Sequence, residues 1–126
     1  MVEKELSYKI VGILFEVHTK LGDSYQEKYY QRAVEKLLKR EGLNYQKELK
    51  VDLMLDDEKI GIYFLDFLIE DRIVLELKAK YKFHPNDFKQ VMAYLRRTGK
   101  ELGILANFKA NKLDYRRILN SRTNNL

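Results

Sequence analysis

Two acids and a lysine interrupt stretches that otherwise read as buried strand: Asp66 within residues 62–69, and Glu76 and Lys78 within residues 73–79. Burying an unpaired ion costs on the order of several kcal/mol, so three of them in apolar surroundings call for a chemical reason. An ion pair between Lys78 and one acid would account for two charges and leave the second acid over. Two or three carboxylates can also hold a hard divalent cation such as magnesium, which takes oxygen ligands at about 2.0–2.1 Å and keeps positions for water and a phosphate. A lysine beside such a cluster could orient or help deprotonate an attacking water, or stabilise charge building on phosphate oxygens. Phosphodiester hydrolysis needs that set of groups.

Side chains two apart on a strand share a face, which groups Val74 with Glu76 and Lys78, and Ile62 and Phe64 with Asp66 and Leu68. A helix preceding these strands offers a further acid, because Glu27, Tyr30, Val34 and Leu38 recur at helical spacing on one side. Ser24-Tyr-Gln-Glu27 has the form of a capping box, and on its own that reading is the stronger one. Beside Asp66 and Glu76, a metal-site role for Glu27 weighs as much, and the two are compatible.

The elements that must position these groups follow from periodicity. Ile10, Leu14, Val17 and Leu21 make a helical stripe ended by Gly22; Tyr30, Val34, Leu37 and Leu38 make a second, running to Arg40 and stopping at Gly42. From Tyr45 to Lys78 the chain is rich in β-branched, aliphatic and aromatic residues, broken at 56–58 and at 70–71, which predicts three antiparallel strands in a meander. Pro85 and Asn86 open a third helix with Phe88, Val91, Met92 and Leu95 on one side and Gly99 past its end. Residues 102–106 are wholly apolar, as in a strand buried on both faces. The expected fold is α/β: order ααβββαβ, a four-stranded mixed sheet with its last strand parallel to the third and helices on both faces.

Composition narrows the classes. The 126 residues are 45% hydrophobic and 34% charged with one proline, enough for one core, so a single domain over residues 1–126 is expected, with fraying at about 120–126. Cysteine is absent, which excludes a disulfide framework, thiolate zinc and thiol catalysis and fits a reducing cytoplasm. No leader pattern or membrane-length apolar run occurs. The net charge of +5 gives a mild bias toward polyanions. The two histidines form no metal-binding pair: His18 reads as a packed residue and His84 as exposed loop. There is no glycine-rich phosphate loop. Nine tyrosines could stack bases, though Tyr25, Tyr29, Tyr30 and Tyr94 suit core or rim equally well.

Asp66, nine intervening residues and then Glu76-Leu77-Lys78 resemble the D-x(n)-E-x-K signature of PD-(D/E)XK nucleases. More narrowly, the chain resembles the GxxExxY proteins, a small prokaryotic group in that superfamily. The likeness runs through Glu16-Val-His18, Leu21-Gly22, Glu27-x-x-Tyr30, Asp66, residues 74–79, Gln90-x-x-x-Tyr94-Leu95 and residues 103–108, with Ser24 where the group's naming motif has its first glycine. The resemblance implies a restriction-endonuclease-like fold and a magnesium- or manganese-dependent nuclease acting on DNA rather than RNA. It implies Asp66 and Glu76 as metal ligands with Glu27 as an accessory acid, Lys78 as the catalytic lysine, and Gln90 as a polar group beside the site. Tyr30, Tyr94 and Lys80 are candidates to touch substrate. The rival is a non-catalytic nucleic-acid-binding or assembly subunit of the same fold; in either case a homodimer or a partner protein would supply specificity.

Strand parity adds one geometric condition. A two-residue turn at Glu70-Asp71 would leave Asp66 and Glu76 on opposite faces, whereas a three-residue loop 70–72, or an equivalent bulge, would set them opposite each other and on one face. Shared metal binding requires the second arrangement, with Glu27 approaching from the helix, and the strand register checks it.

Overall fold

The computed structural model describes residues 2–121. These residues form helices α1 (Lys4–Leu21), α2 (Glu27–Arg40) and α3 (Pro85–Thr98) and strands β1 (Tyr45–Leu55), β2 (Glu58–Ile69), β3 (Ile73–Lys78), β4 (Leu102–Asn107) and β5 (Asp114–Leu119). The glycines read as stops do stop helices: the Gly22 N–H donates to the His18 carbonyl, and Gly99 caps α3 with φ of 76°. At the other end of α3, Pro85 occupies the first turn, where a missing N–H costs nothing. His84 Nδ1 accepts from the Asn86 N–H, and Asp87 Oδ2 accepts from the His84 N–H.

The strands make one mixed sheet in the order β1-β2-β3-β4-β5. β1, β2 and β3 are the antiparallel meander, α3 is the crossover, and β4 lies parallel to β3 with Ile73 opposite Leu102 and Lys78 opposite Asn107. The fifth strand, antiparallel to β4, was not expected. Its segment Asp-Tyr-Arg-Arg-Ile-Leu buries only Ile118, so it lacks the apolar run or clean alternation that marks a strand in sequence. It is held instead by distant contacts: Arg117 donates to Ser7 Oγ and to the Val2 carbonyl, each at 2.7 Å. The expected fraying does not reach Asn120, which is buried and donates to the carbonyls of Leu95 and Lys100. Residues 122–126 lie outside the described residues.

Two apolar clusters sandwich the sheet. Ile10, Ile13, Leu14 and Val17 of α1 and Tyr30, Val34 and Leu38 of α2 pack on Phe67, Ile69, Ile73, Leu75, Leu77, Leu102 and Ile104. On the other side Val91 and Leu95 of α3 pack on Val51, Leu65, Val74, Leu105 and Ile118. Leu65 and Phe67 belong to opposite clusters although two residues apart. β2 therefore rotates at Asp66, where the pairing passes from Lys47–Phe67 to Leu49–Leu65 across Glu48, whose φ is 56°.

Gly103 sets how closely α3 can lie on β3 and β4, because a Cβ there would meet Val91 Cγ1 at 2.5 Å and Val74 Cγ1 at 3.0 Å. Gly103→Ala is expected to destabilise the fold by about 1–3 kcal/mol through overpacking. The check is a lowered urea midpoint with an unchanged m-value.

Candidate active site

The β2–β3 connection is a three-residue loop, Glu70-Asp71-Arg72, with positive φ at Glu70 (53°) and Asp71 (55°) and the Arg72 N–H returning to the Ile69 carbonyl at 3.0 Å. It pairs Ile69 with Ile73, Leu68 with Val74 and Phe67 with Leu75. One step further would set Asp66 opposite Glu76, and there the main-chain ladder gives way to side chains. The Asp66 N–H donates to Glu76 Oε1 at 2.9 Å, and the Leu77 N–H donates to Asp66 Oδ2 at 2.7 Å. Each strand thus lends its carboxylate to the other's backbone, which brings two acids together where the strands part.

The remaining carboxylate oxygens are held from either side. Gln31 of α2 donates to Asp66 Oδ1 at 2.7 Å and to Glu27 Oε2 at 3.2 Å. Lys78 Nζ lies 3.2 Å from Glu76 Oε2 and 3.9 Å from Asp87 Oδ1. Lys80 Nζ meets Asp87 Oδ2 at 2.6 Å. Asn107 fixes the chain at that point: its Oδ1 accepts from the Lys80 N–H (3.1 Å) and its Nδ2 donates to the Lys80 carbonyl (2.6 Å).

Electrostatics follow from crowding and burial. Glu76 is buried, and its carboxyl is pushed up by burial; Asp66 is pushed up by burial and by the charge of Glu76. Burial and then Asp66 also raise Glu27. Burial works against the Lys78 ammonium, but Glu76, Glu27 and Asp87 outweigh it and hold Lys78 above its ordinary value. Asp87, though buried, is held below the usual range by its bonds from Lys80 and the His84 N–H.

Four carboxylates, Glu27, Asp66, Glu76 and Asp87, therefore share this region with the ammoniums of Lys78 and Lys80. Among the described residues no group of three or more His, Cys, Asp or Glu side chains converges as a ready metal cage. Glu27 does not join the acid pair directly; Gln31 stands between it and Asp66. The pair alone suits a hard cation, since magnesium is commonly held by one or two carboxylates and completes its shell with water and substrate phosphate. Two buried, mutually repelling carboxylates are groups that such a charge would favour.

Several expected roles change. The capping box at Ser24 does not form: α2 begins at Glu27 with Gln26 as its N-cap, and the Ser24 hydroxyl donates to Asp23. Tyr30 is unavailable to substrate, because it is fully buried, stacked on Phe108 at 4.4 Å, with its hydroxyl donating to the Gly22 carbonyl at 2.6 Å. Tyr94 is partly buried and packs against the edge of the α3-side cluster. Gln90 is partly buried, and it is its main-chain carbonyl that accepts, from the Tyr63 hydroxyl. Ile62 and Phe64 are exposed, so Asp66 stands at the border of the core and not within an apolar face. Gln31, Asp87 and Asn107 were missed in sequence. Gln31 follows Glu27 by one helical turn and could have been found by that spacing; Asp87 looks like an ordinary first-turn acid; only the parallel pairing brings Asn107 to Lys80.

Comparison with known proteins matches residues 4–118 to the family model described as the PD-(D/E)XK nuclease superfamily, a span that holds all the residues above. Among solved structures, the crystal structure of SSO0001 superposes with a TM-score of 0.55 at 18% identity, over 93% of this chain and 59% of that one. That likeness shows the fold alone, and the chain spans about three fifths of that structure's length. No curated protein matches.

Because Asp66 holds its proton to higher pH in the folded chain than in the unfolded one, the folded state binds more protons, and stability falls as pH rises from about 4 toward about 8. Asp66→Asn is expected to flatten that slope and to be the more stable protein at pH 8 in chelator. Urea midpoints of both proteins at pH 5 and pH 8 check the sign.

Proposed function

Because the chain belongs to the PD-(D/E)XK nuclease superfamily, we propose that it hydrolyses phosphodiester bonds through Asp66, Glu76 and Lys78, taking DNA in preference to RNA. The observation that carries this reading is the cross-bonded acid pair with Lys78 Nζ 3.2 Å from Glu76. The preference for DNA, and membership of the narrower GxxExxY group, rest on the resemblance of the motifs around Glu27, Asp66 and residues 74–79.

Asp66 and Glu76 would hold magnesium or manganese, which when bound supplies an acidified water and neutralises charge on phosphate oxygens. The chain's own residues do the rest. Gln31 keeps Asp66 oriented from α2. Lys78, kept protonated by the acids around it, acts as a hydrogen-bond donor that orients the attacking water and stabilises charge on the phosphate. Lys80, paired with Asp87 and fixed by Asn107, extends the cationic rim over which the strand enters.

Purified protein incubated with plasmid, single-stranded DNA and RNA, with magnesium, manganese or chelator, tests the reading. Cleavage in metal and not in chelator is expected. Binding in chelator with no cleavage in either metal would point instead to a non-catalytic nucleic-acid-binding or assembly subunit. Lys78→Ala should retain binding and lose cleavage by about 10²–10⁴-fold; a parent-like rate would remove the assigned role. Glu27→Gln keeps an acceptor for Gln31 and removes the charge, so it should lower the rate by about 10–100-fold at unchanged thermal stability.

A further inference from the structure

Helix α1 is apolar on two sides. Its inner side, with Leu6, Ile10, Ile13, Leu14 and Val17, is core. On the opposite side Tyr8, Gly12, Phe15 and Thr19 recur at i, i+4, i+7 and i+11 and face solvent, with Tyr8 82% and Phe15 45% exposed. A surface helix ordinarily turns charge outward, as α2 does with Lys28, Arg32, Lys36 and Lys39. Between the outer side of α1 and β5 runs a groove of about 460 Å³ walled by Val11, Phe15, Tyr115 and Arg117, and Phe15 meets Tyr115 edge to face at 5.8 Å. Gly12 lies in the middle of the exposed stripe. A Cβ there would meet nothing within 4 Å, so packing inside the chain does not call for a glycine, which a helix interior tolerates less well than alanine.

Beside the stripe a second row carries charge. Glu5, Lys9, Glu16 and Lys20 recur at i, i+4, i+11 and i+15, and the row read backwards has the same spacing and the opposite sign at every position. A second α1 laid antiparallel across Gly12 therefore meets the first with Glu5 against Lys20 and Lys9 against Glu16, each pair occurring twice by symmetry. Within one copy Lys20 pairs with Glu16 at 2.8 Å and Arg40 with Glu16 at 2.7 Å; on association Lys20 passes to Glu5, and Lys9 takes its place at Glu16. The same arrangement sets Tyr8 against Phe15 of the other copy, and the missing side chain at Gly12 lets the two backbones approach. We propose that the outer face of α1 binds a second copy of this chain, forming a two-fold antiparallel helix pair. Taking about 200 Å² for a whole aromatic side chain, Tyr8 and Phe15 together offer about 250 Å² per copy, half of the roughly 500 Å² per partner that a specific interface needs. Val11, Thr19, Tyr115 and the charged row add to it. An interface of this small size gives a dissociation constant on the order of 10 μM. None of these residues belongs to the acid pair or its lysines, so the proposal does not rest on the nuclease reading.

Sedimentation equilibrium of the whole chain from about 1 to 200 μM, at about 50 mM salt where exposed charges are least screened, tests the pairing. A monomer–dimer equilibrium is expected, weakened about tenfold or more by Tyr8→Ala, whose ring contributes little to the fold. Glu5→Lys and Lys20→Glu should each be monomeric alone, because each sets like charges against one another, whereas an equimolar mixture of the two variants should dimerise as the parent does. Circular dichroism melts confirm that both variants are folded, and recovery in the mixture shows the same directly. A parent chain that stays monomeric throughout the range overturns the proposal and leaves the face to a different partner. A dimer that survives Tyr8→Ala and both charge reversals unchanged also overturns it, since pairing then uses another surface.

Discussion

Where β2 and β3 part, two carboxylates replace main-chain hydrogen bonds, and the rest of the site is arranged around that exchange. A sheet that opens inside a core leaves N–H groups without partners, which costs more than a bond is worth. Glu76 satisfies the Asp66 N–H and Asp66 satisfies the Leu77 N–H, so the opening is closed without continuing the ladder. The acids are thereby fixed to the strands on which both helical layers pack. Their mutual repulsion and burial are the cost of that arrangement, offset by Gln31 and Lys78.

Many of the signature residues serve position rather than chemistry. Tyr30 lies on Phe108 and reaches the Gly22 carbonyl, tying the end of α1 and the start of α2 to the residue that follows β4. The Phe108 N–H in turn donates to the Lys78 carbonyl at 2.9 Å, and Asn107 brackets both backbone groups of Lys80. A chain of contacts thus runs from the α1–α2 turn through Phe108 to the lysine, and Glu27 and Gln31 ride on the helix so anchored. Small displacements of such groups have large effects on a reaction that depends on orientation.

The charge distribution separates two tasks. The protein as a whole carries +5, a field that favours a polyanion at its surface. At the strand opening the balance reverses, with Glu27, Asp66, Glu76 and Asp87 against Lys78 and Lys80. A basic exterior around an acidic recess would draw a phosphate chain to the surface and favour a cation within it. Among the described residues no helix is long and apolar enough to cross a membrane.

The three helices, the first four strands and the parallel crossover were legible in sequence because each is specified locally: apolar residues at helical or strand spacing, with glycine and proline at the ends. Asp66, Glu76 and Lys78 were visible for the same reason, as charges breaking patterns their neighbours define; strand parity left two turns open, and the shared-metal reading required the odd-residue loop that Glu70, Asp71 and Arg72 form. Contacts between distant segments were not legible. β5 pairs with β4, and Arg117 ties it to Ser7 and the Val2 carbonyl, residues more than a hundred positions away. Gln31 joins Glu27 to Asp66, and Asp87 and Asn107 position the lysines, only after the helices dock on the sheet. The sign of each pKa shift depends on that docking too, since desolvation and neighbouring charge belong to the packed molecule. Pattern and propensity act over a few residues and are written in the chain; burial and through-space partners arise only when the chain has closed on itself.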